Sequence, residues 1–351
     1  MINNNSDEII RISIFVLMKE KPLFFVLIIL TLLLFVLSLS VGKLSISFTE
    51  IFNVFSGHSD EMLHNLVLNF RLPKSLTALL VGISLPISGF LMQELFKNPL
   101  AEPSVLGITS MASLGVAIVI FLFSMIGLEE FLNNPWITII ASFLGAIVAL
   151  FLVISLSFRV KSSASLVIIG FMIAGLAGAL IGMMQYFAPS DKIKAYLVWG
   201  FGSLSGLSWE QLGVFGLFVL SGIIVSLFTL RGITSLLLGE KYAQSLGINI
   251  KKLRFTILIS TALLTASATA FAGPISFIGL AVPHICRTLL RTGDMKVLYR
   301  WIFVSGIFFM LLFSILTEVF PFGTLPINII TALFGAPIVI SILLNNKNEV
   351  R

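Results

Sequence analysis

The sequence predicts an all-α, polytopic membrane protein with about ten transmembrane helices. Three observations predict it. Mean hydropathy is +1.09 and 58% of the 351 residues are hydrophobic, against roughly 45–50% in a soluble protein. Charged residues make up only 11%, where about 25% is usual for a water-facing surface. Apolar runs of about 20 residues recur, each long enough to cross a hydrocarbon core of about 30 Å. Helices are the expected spanning element, because lipid offers the backbone no hydrogen-bond partners. The short alternating strands of a membrane barrel do not occur in this sequence.

The elements follow in order. Residues 1–22 form a polar and mixed head. Predicted spans cover 23–41, 65–92, 104–126, 136–157, 164–187, 209–230, 253–272, 275–290, 299–320 and 326–344. The first is read as a retained helix, since Leu37-Ser-Leu-Ser-Val-Gly42 matches a leader-cleavage site poorly. The eighth is short and carries Pro283. Between spans five and six, residues 188–208 are apolar and Gly-rich but too short to cross. They read as a re-entrant or interfacial element, with Trp199 and Trp209 as aromatic anchors or as part of the closure of an outer mouth. Gly178 and Gly182 form a small-xxx-small pair in span five, read as ordinary packing within the chain.

Charge sets the orientation. With the N-terminus inside and ten spans, 17 of the 22 Lys and Arg residues fall on the cytoplasmic side and five outside. This positive-inside asymmetry places both termini in the cytoplasm. It also accounts for the net charge of +6 without a nucleic-acid partner.

Two stretches break the apolar pattern. Ala272–Arg287 contains Gly273, Pro274, Gly279 and Pro283, so its backbone is expected to leave the helix inside the membrane. Such backbone is tolerated only where protein or water satisfies it. Glu240-Lys-Tyr-Ala-Gln-Ser-Leu-Gly247 is a charged, helix-capable segment between two apolar runs. Arg231, Lys241, Lys251, Lys252 and Arg254 lie in or beside it. This loop is the natural place for something outside the membrane to act on the protein.

Other chemistry is missing from the sequence. The single cysteine, Cys286, allows no internal disulfide. No zinc-spaced His/Cys cluster and no phosphate-binding Gly-Lys loop occurs. The chain is therefore read as no enzyme, binding no cofactor of its own. The predicted spans hold few charges, which argues against the alternative class, an ion-coupled secondary carrier.

Five ordered motifs then support a resemblance. They are Arg71-Leu-Pro-Lys74 running into Gly82–Gln93, Asn98-Pro-Leu-Ala-Glu-Pro103 with Gly107, Glu240–Gly247, Ala272–Arg287 and Thr331–Pro337. Over residues 65–345 the chain resembles FecCD-type, or type II, ABC importer permeases for iron–siderophore complexes, haem and vitamin B12. The resemblance implies a vitamin B12 permease-like fold. Residues 1–22 would be a cytoplasmic segment, 23–345 the permease domain with a coupling loop at 231–254, and 346–351 a cytoplasmic tail.

The partners implied are a second permease subunit, with a heterodimer preferred over a homodimer, two cytoplasmic ATPase subunits that bind ATP and magnesium, and an extracytoplasmic binding protein or lipoprotein. In the coupling loop, Glu240 and Lys241 would pair with the ATPase, Ala243 would allow close approach and Gly247 would end the helix. Arg71, Pro73, Gln93, Asn98, Pro99, Pro103, Gly107, Gly273, Pro274, Gly279, Pro283, His284, Arg287, Gly335 and Pro337 are the matching motif and structural positions. His284 is expected to shape or cap the eighth helix rather than bind metal. Met183, Met184, Gln185 and Tyr186 are candidates for the translocation path. Where the family carries Asp and Arg in span nine, this chain has Phe313 and Thr317. A ferric siderophore is the expected cargo, with haem or cobalamin as alternatives.

Overall fold

A computed structural model describes residues 3–157, 163–320 and 323–345, and these are all helical or short connections. The predicted tail 346–351 and the basic residues Arg159 and Lys161 lie outside the described residues. Helix α1 (Asn3–Ser40) runs without interruption through Pro22, so the predicted head and first span form one helix. Short helices α2 (Phe48–Phe55) and α3 (Glu61–Asn65) follow. A π-helical turn, Leu66–Arg71, then leads into α4 (Leu72–Phe96). The wide turn has a local cause. In a regular helix the ring of Pro73 would crowd the carbonyl of Asn69.

Helix α5 (Ile108–Ala117), a second π-turn at Ile118–Leu122 and α6 (Phe123–Met125) make the third span. Then come α7 (Pro135–Ser157), α8 (Ser163–Phe187), α9 (Ser190–Gly200), α10 (Trp209–Leu227), α11 (Leu230–Leu237) and α12 (Glu240–Ser245). The chain ends in α13 (Ile250–Ala272), α14 (Ile278–Leu290), α15 (Met295–Glu318) and α16 (Ile327–Asn345). The 188–208 segment is thus mainly the short helix α9.

Among the described residues, eight helices are long and apolar enough to cross a membrane, and two shorter apolar helices accompany them. The protein is an all-α, multi-pass membrane protein. The predicted eighth span is corrected. At 13 residues, α14 rises only about 20 Å and cannot cross alone. Nor does Pro283 break it: the break lies upstream at Gly273–Phe277, and Pro283 is inside the helix.

Helix α4 is the hub. Its apolar window is 83% buried, against 11% for the crossing part of α1. Helices α10, α13, α14 and α15 surround it, and α1 lies along α15. Lipid gives apolar helices little reason to associate, so close backbone approach has to do the work. A methyl on Gly82 would meet the Gly306 backbone, and one on Gly89 would run into the Gly279 carbonyl. Helices α5 and α7 approach in the same way through Gly115 and Gly145.

Gly175, Gly178 and Gly182 behave differently. An added methyl at each would meet open space within 4 Å. The pairing of Gly178 with Gly182 is therefore not used for packing inside this chain, and that face of α8 is left uncovered.

Candidate functional site

Residues 230–245, which hold most of the charged segment singled out in the sequence, fold as two short helices. Gly239 (φ +108°) turns the chain from α11 into α12, and Gly247 (φ +81°) turns it out. Both angles are strained for any residue with a side chain. The N–H of Gly247 closes the last turn on the Gln244 carbonyl at 2.9 Å.

Glu240 and Ala243 differ from expectation. Glu240 is already paired with Arg254, at 2.5 Å, which anchors the start of α12 to α13. Ala243 is completely buried, so the close approach it permits is to its own chain. Lys241 stays exposed. Beside it Leu238, Tyr242 and Leu246 present apolar side chains to the outside. Sequence reading missed this knob. Its signal was the i, i+4 spacing of Tyr242 and Leu246, which puts both on one helix face.

Behind α11 lies a cavity of about 410 Å³. It brings together motifs far apart in the chain: Gln93, Asn98 and Pro99 from the end of α4, and Arg287 from α14. Asn98 Oδ1 accepts from the Leu100 N–H at 2.9 Å, which with Pro99 sets the turn after α4. Gln93 donates Nε2 to the Leu280 carbonyl at 3.3 Å. Arg287 approaches Glu94 to 3.0 Å and lies 5.8 Å from the centre of the Phe90 ring. Glu94, which the sequence places merely near a span end, is only 8% exposed. The ion pair and the Gln93 bond tie α14 to α4. His284 lies in the body of α14 beside Thr288, with Nε2 to Oγ1 at 3.4 Å, so it does not cap that helix.

The turn after α13 meets the residues that follow α9. Gly273 (φ +76°) carries the chain out of α13, close to the Gly202 backbone. Pro274 follows, and Phe277 then starts α14 with φ +69°. Gly335 of α16 has no room for a methyl beside the Phe277 Cβ, and Pro337 lies inside α16. Pro103 opens a short 3₁₀ turn, Pro103–Leu106, and Gly107 (φ +74°) leads into α5. Residues 98–103 read from sequence as an inside loop after span two, yet Glu102 and Pro103 pack into the bundle. A methyl on Gly170 of α8 would meet the Val105 and Leu106 backbone. Gly279, which packs along α4 between Leu85 and Gly89, has the Glu102 carboxylate beside it.

The face opposite α12 carries Arg71. Its guanidinium is 8% exposed and donates to the carbonyls of Leu39, Ser40 and Leu44. Arg71 therefore fastens α1 and its following loop to α4. Pro73 lies in the first turn of α4. Lys74 pairs with Glu318 at the edge of an open cavity of about 560 Å³. Of the candidate path residues, Met183 and Tyr186 are exposed, at 55% and 84%. Gln185 is part-buried, and Met184 turns inward to a small cluster with Val116 and Trp199. At the departure in span nine, Phe313 stacks on Phe334 at 5.4 Å and the Thr317 hydroxyl bonds the Ser314 carbonyl. Packing takes the place of the charges there.

Among the described residues no group of three His, Cys, Asp or Glu side chains could hold a metal ion. The structure thus combines a multi-pass helical bundle, a short exposed helix with a cavity beside it and a short helix, α14, that does not cross the membrane alone. The FecCD transport family matches residues 30–345, and the chain belongs to that family. It is a type II ABC importer permease subunit of the group that serves metal chelates, siderophores, haem and cobalamin, and is not itself catalytic.

Several relatives span almost the same length. The hemin transport system permease protein HmuU of Yersinia pestis is 33% identical, covering 92% of this chain and 95% of that one. The molybdate import system permease protein MolB of Haemophilus influenzae is 33% identical, covering 86% and 89%. The vitamin B12 import system permease protein BtuC of Photorhabdus laumondii is 34% identical, covering 80% and 82%. A solved metal-chelate type ABC transporter in an inward-facing conformation superposes with a TM-score of 0.81 at 31% identity, covering 93% of this chain and 99% of that one.

Proposed function

We propose that this chain is one of two permease subunits of an ATP-driven importer, and that it passes a bulky metal chelate of the haem or cobalamin class. The observation that carries the reading is α12, an exposed docking helix set beside a cavity walled by Glu94 and Arg287. A separate ATPase that pushes on Tyr242, Leu246 and Lys241 would move α11, and through the cavity wall the inner ends of α4 and α14. The α12 face is then cytoplasmic, as the charge asymmetry favours, with both termini on that side. The opposite face, with Lys43 and Lys74, would receive the binding protein.

The second permease subunit would cover the open glycine face of α8. Loss of the family's charges at Phe313 and Thr317 favours a distinct second chain over a second copy. The names of the hemin and vitamin B12 relatives support a macrocyclic chelate over the ferric siderophore expected from sequence. The molybdate relative has comparable identity, so cargo is tested directly. Haem, cobalamin, ferric siderophores and molybdate are titrated against the partner binding protein. Tight binding of haem or cobalamin is expected, and binding of molybdate or a ferric siderophore alone would reject the cargo assignment.

Two variants test the coupling role. Glu240→Arg sets like charges against Arg254, and Gly247→Pro demands a φ near −65° where the chain needs +81°. Both chains should insert normally. Substrate-stimulated ATP hydrolysis in vesicles should fall about tenfold or more, as expected from loss of about 1.4 kcal/mol at a docking contact. Unchanged hydrolysis and uptake in both variants would remove α12 from the coupling path.

A further inference from the structure

Glu102 lies where a carboxylate is least expected. It borders Gly279, which packs against α4 at Leu85. Leu85 is eleven residues from the α12-side end of α4, or about 16 Å along a helix some 37 Å long. The carboxylate therefore lies near mid-depth. Each ionisable group at that depth calls for a partner.

Its surroundings hold no cationic partner. Glu102 lines a cavity of about 20 Å³ with Ser104, Thr109, Thr265, Thr269 and Ser276, and no Lys, Arg or His lines it. One carboxylate oxygen, Oε2, accepts from the Ser104 hydroxyl at 3.2 Å. The other, Oε1, lies on the α14 side, 3.5 Å from where a Gly279 Cβ would be. The hydroxyl of Thr265, only 2% exposed, is buried without any hydrogen-bond partner. Most helical threonines satisfy their hydroxyl on the preceding turn. This one is left for something in the cavity.

We propose that Glu102, Ser104, Thr109, Thr265, Thr269 and Ser276 form a buried site for one sodium ion. The cavity has room for a single water-sized species. Its polar side chains, set among Leu85, Pro103, Ile275 and Gly279, offer oxygen atoms alone, which suits a hard cation. One negative charge balances a monovalent ion, whereas a divalent ion would leave a positive charge stranded in a medium of low dielectric. Sodium draws its oxygen ligands closer than potassium does, which suits a space of one water. Glu102 and Thr109 are part-exposed and Ser104 is exposed, which gives the ion a way in. The site links the 98–107 segment, α5, α13 and the start of α14, so the ion would tie the turn before α5 to the turn between α13 and α14. It stands whether or not the cargo assignment does, because it uses neither the cavity behind α11 nor any cargo contact.

The test uses the full chain with its partner subunits in lipid nanodiscs. Thermal unfolding is followed in sodium, potassium and choline chloride at equal ionic strength. Sodium alone should raise the midpoint, saturably and by several degrees. Equilibrium dialysis with radioactive sodium should count about one ion per chain. Thr265→Val keeps the shape and removes one ligand, and should weaken sodium binding about tenfold. Glu102→Gln should abolish the sodium-specific rise while still unfolding cooperatively in choline. Equal midpoints in all three salts, or no bound sodium in the native chain, would mean that a water fills the cavity and would overturn the proposal. Sodium binding that is undiminished in Thr265→Val would do the same, even if Glu102→Gln fails to fold.

Discussion

Gly89→Val should prevent recovery of the folded chain. At this position a Cβ is directed into the Gly279 carbonyl of α14, and the obstacle is backbone rather than a side chain that can rotate away. Overpacking in cores where side chains can yield costs about 1–3 kcal/mol. Here a whole helix must move, and α14 is tied to α4 at Gln93 and Glu94 as well. Gly82→Val faces the same obstacle at Gly306. Gly213→Ala is the matched control, because its added methyl meets open space. It should melt at or slightly above the native temperature, since alanine favours a helix by about 1 kcal/mol over glycine. Size-exclusion profiles and unfolding midpoints read all three. A native-like midpoint for Gly89→Val would refute the close approach of α4 and α14.

Glu94→Leu should be the second most damaging single change. It leaves Arg287 beside Gln93, Lys97 and Asn98 with no counter-charge. Breaking a buried ion pair costs about 3–5 kcal/mol, and the lower end applies because the Arg287 side chain is 29% exposed. The double variant Glu94→Leu/Arg287→Leu should regain most of that stability, because an apolar pair of similar volume has no desolvation cost to overcome. Stability measured around the four-member cycle should show coupling of about 2 kcal/mol or more. Additive losses would mean that the two residues act separately. Substrate-stimulated ATP hydrolysis of the refolded double variant asks a different question. If the pair transmits movement from α11 to α14, hydrolysis stays low although stability returns.

Much of this was readable in the sequence, and what was missed has physical causes. Long apolar runs mark helices because the bilayer fixes their length, and the eight long helices fall where those runs lie. Hydropathy has no way to distinguish a helix that crosses from one that begins at half height, so α14 reads as a span. Asn98–Pro103 reads as an inside loop because prolines and Glu102 are common in polar loops, although tertiary packing draws Glu102 and Pro103 inward. Arg71, Gln93, Gly279 and Arg287 stand out in their motifs. Their partners are not legible, because the Leu39 carbonyl, the Leu280 carbonyl and Glu94 are brought to them only by folding. The inward turn of Ala243 and the outward turn of Tyr242 depend on how α12 lies on α11 and α13. The open face at Gly178 and Gly182 looks like any other small-residue pair, since spacing does not report what lies opposite.

The two π-helical turns have a consequence for how this fold tolerates change in length. Each wide turn is equivalent to a single-residue insertion absorbed within a helix. Deleting one residue from Leu66–Val67 would let the turn relax toward regular α-geometry and rotate the upstream segment by about 100°. Helix α3 would then be re-aimed relative to Arg71 and the three carbonyls that hold it. The face opposite α12 is thus set by residue count as well as residue identity. Lineages that differ there by one residue would present different surfaces on the same membrane core.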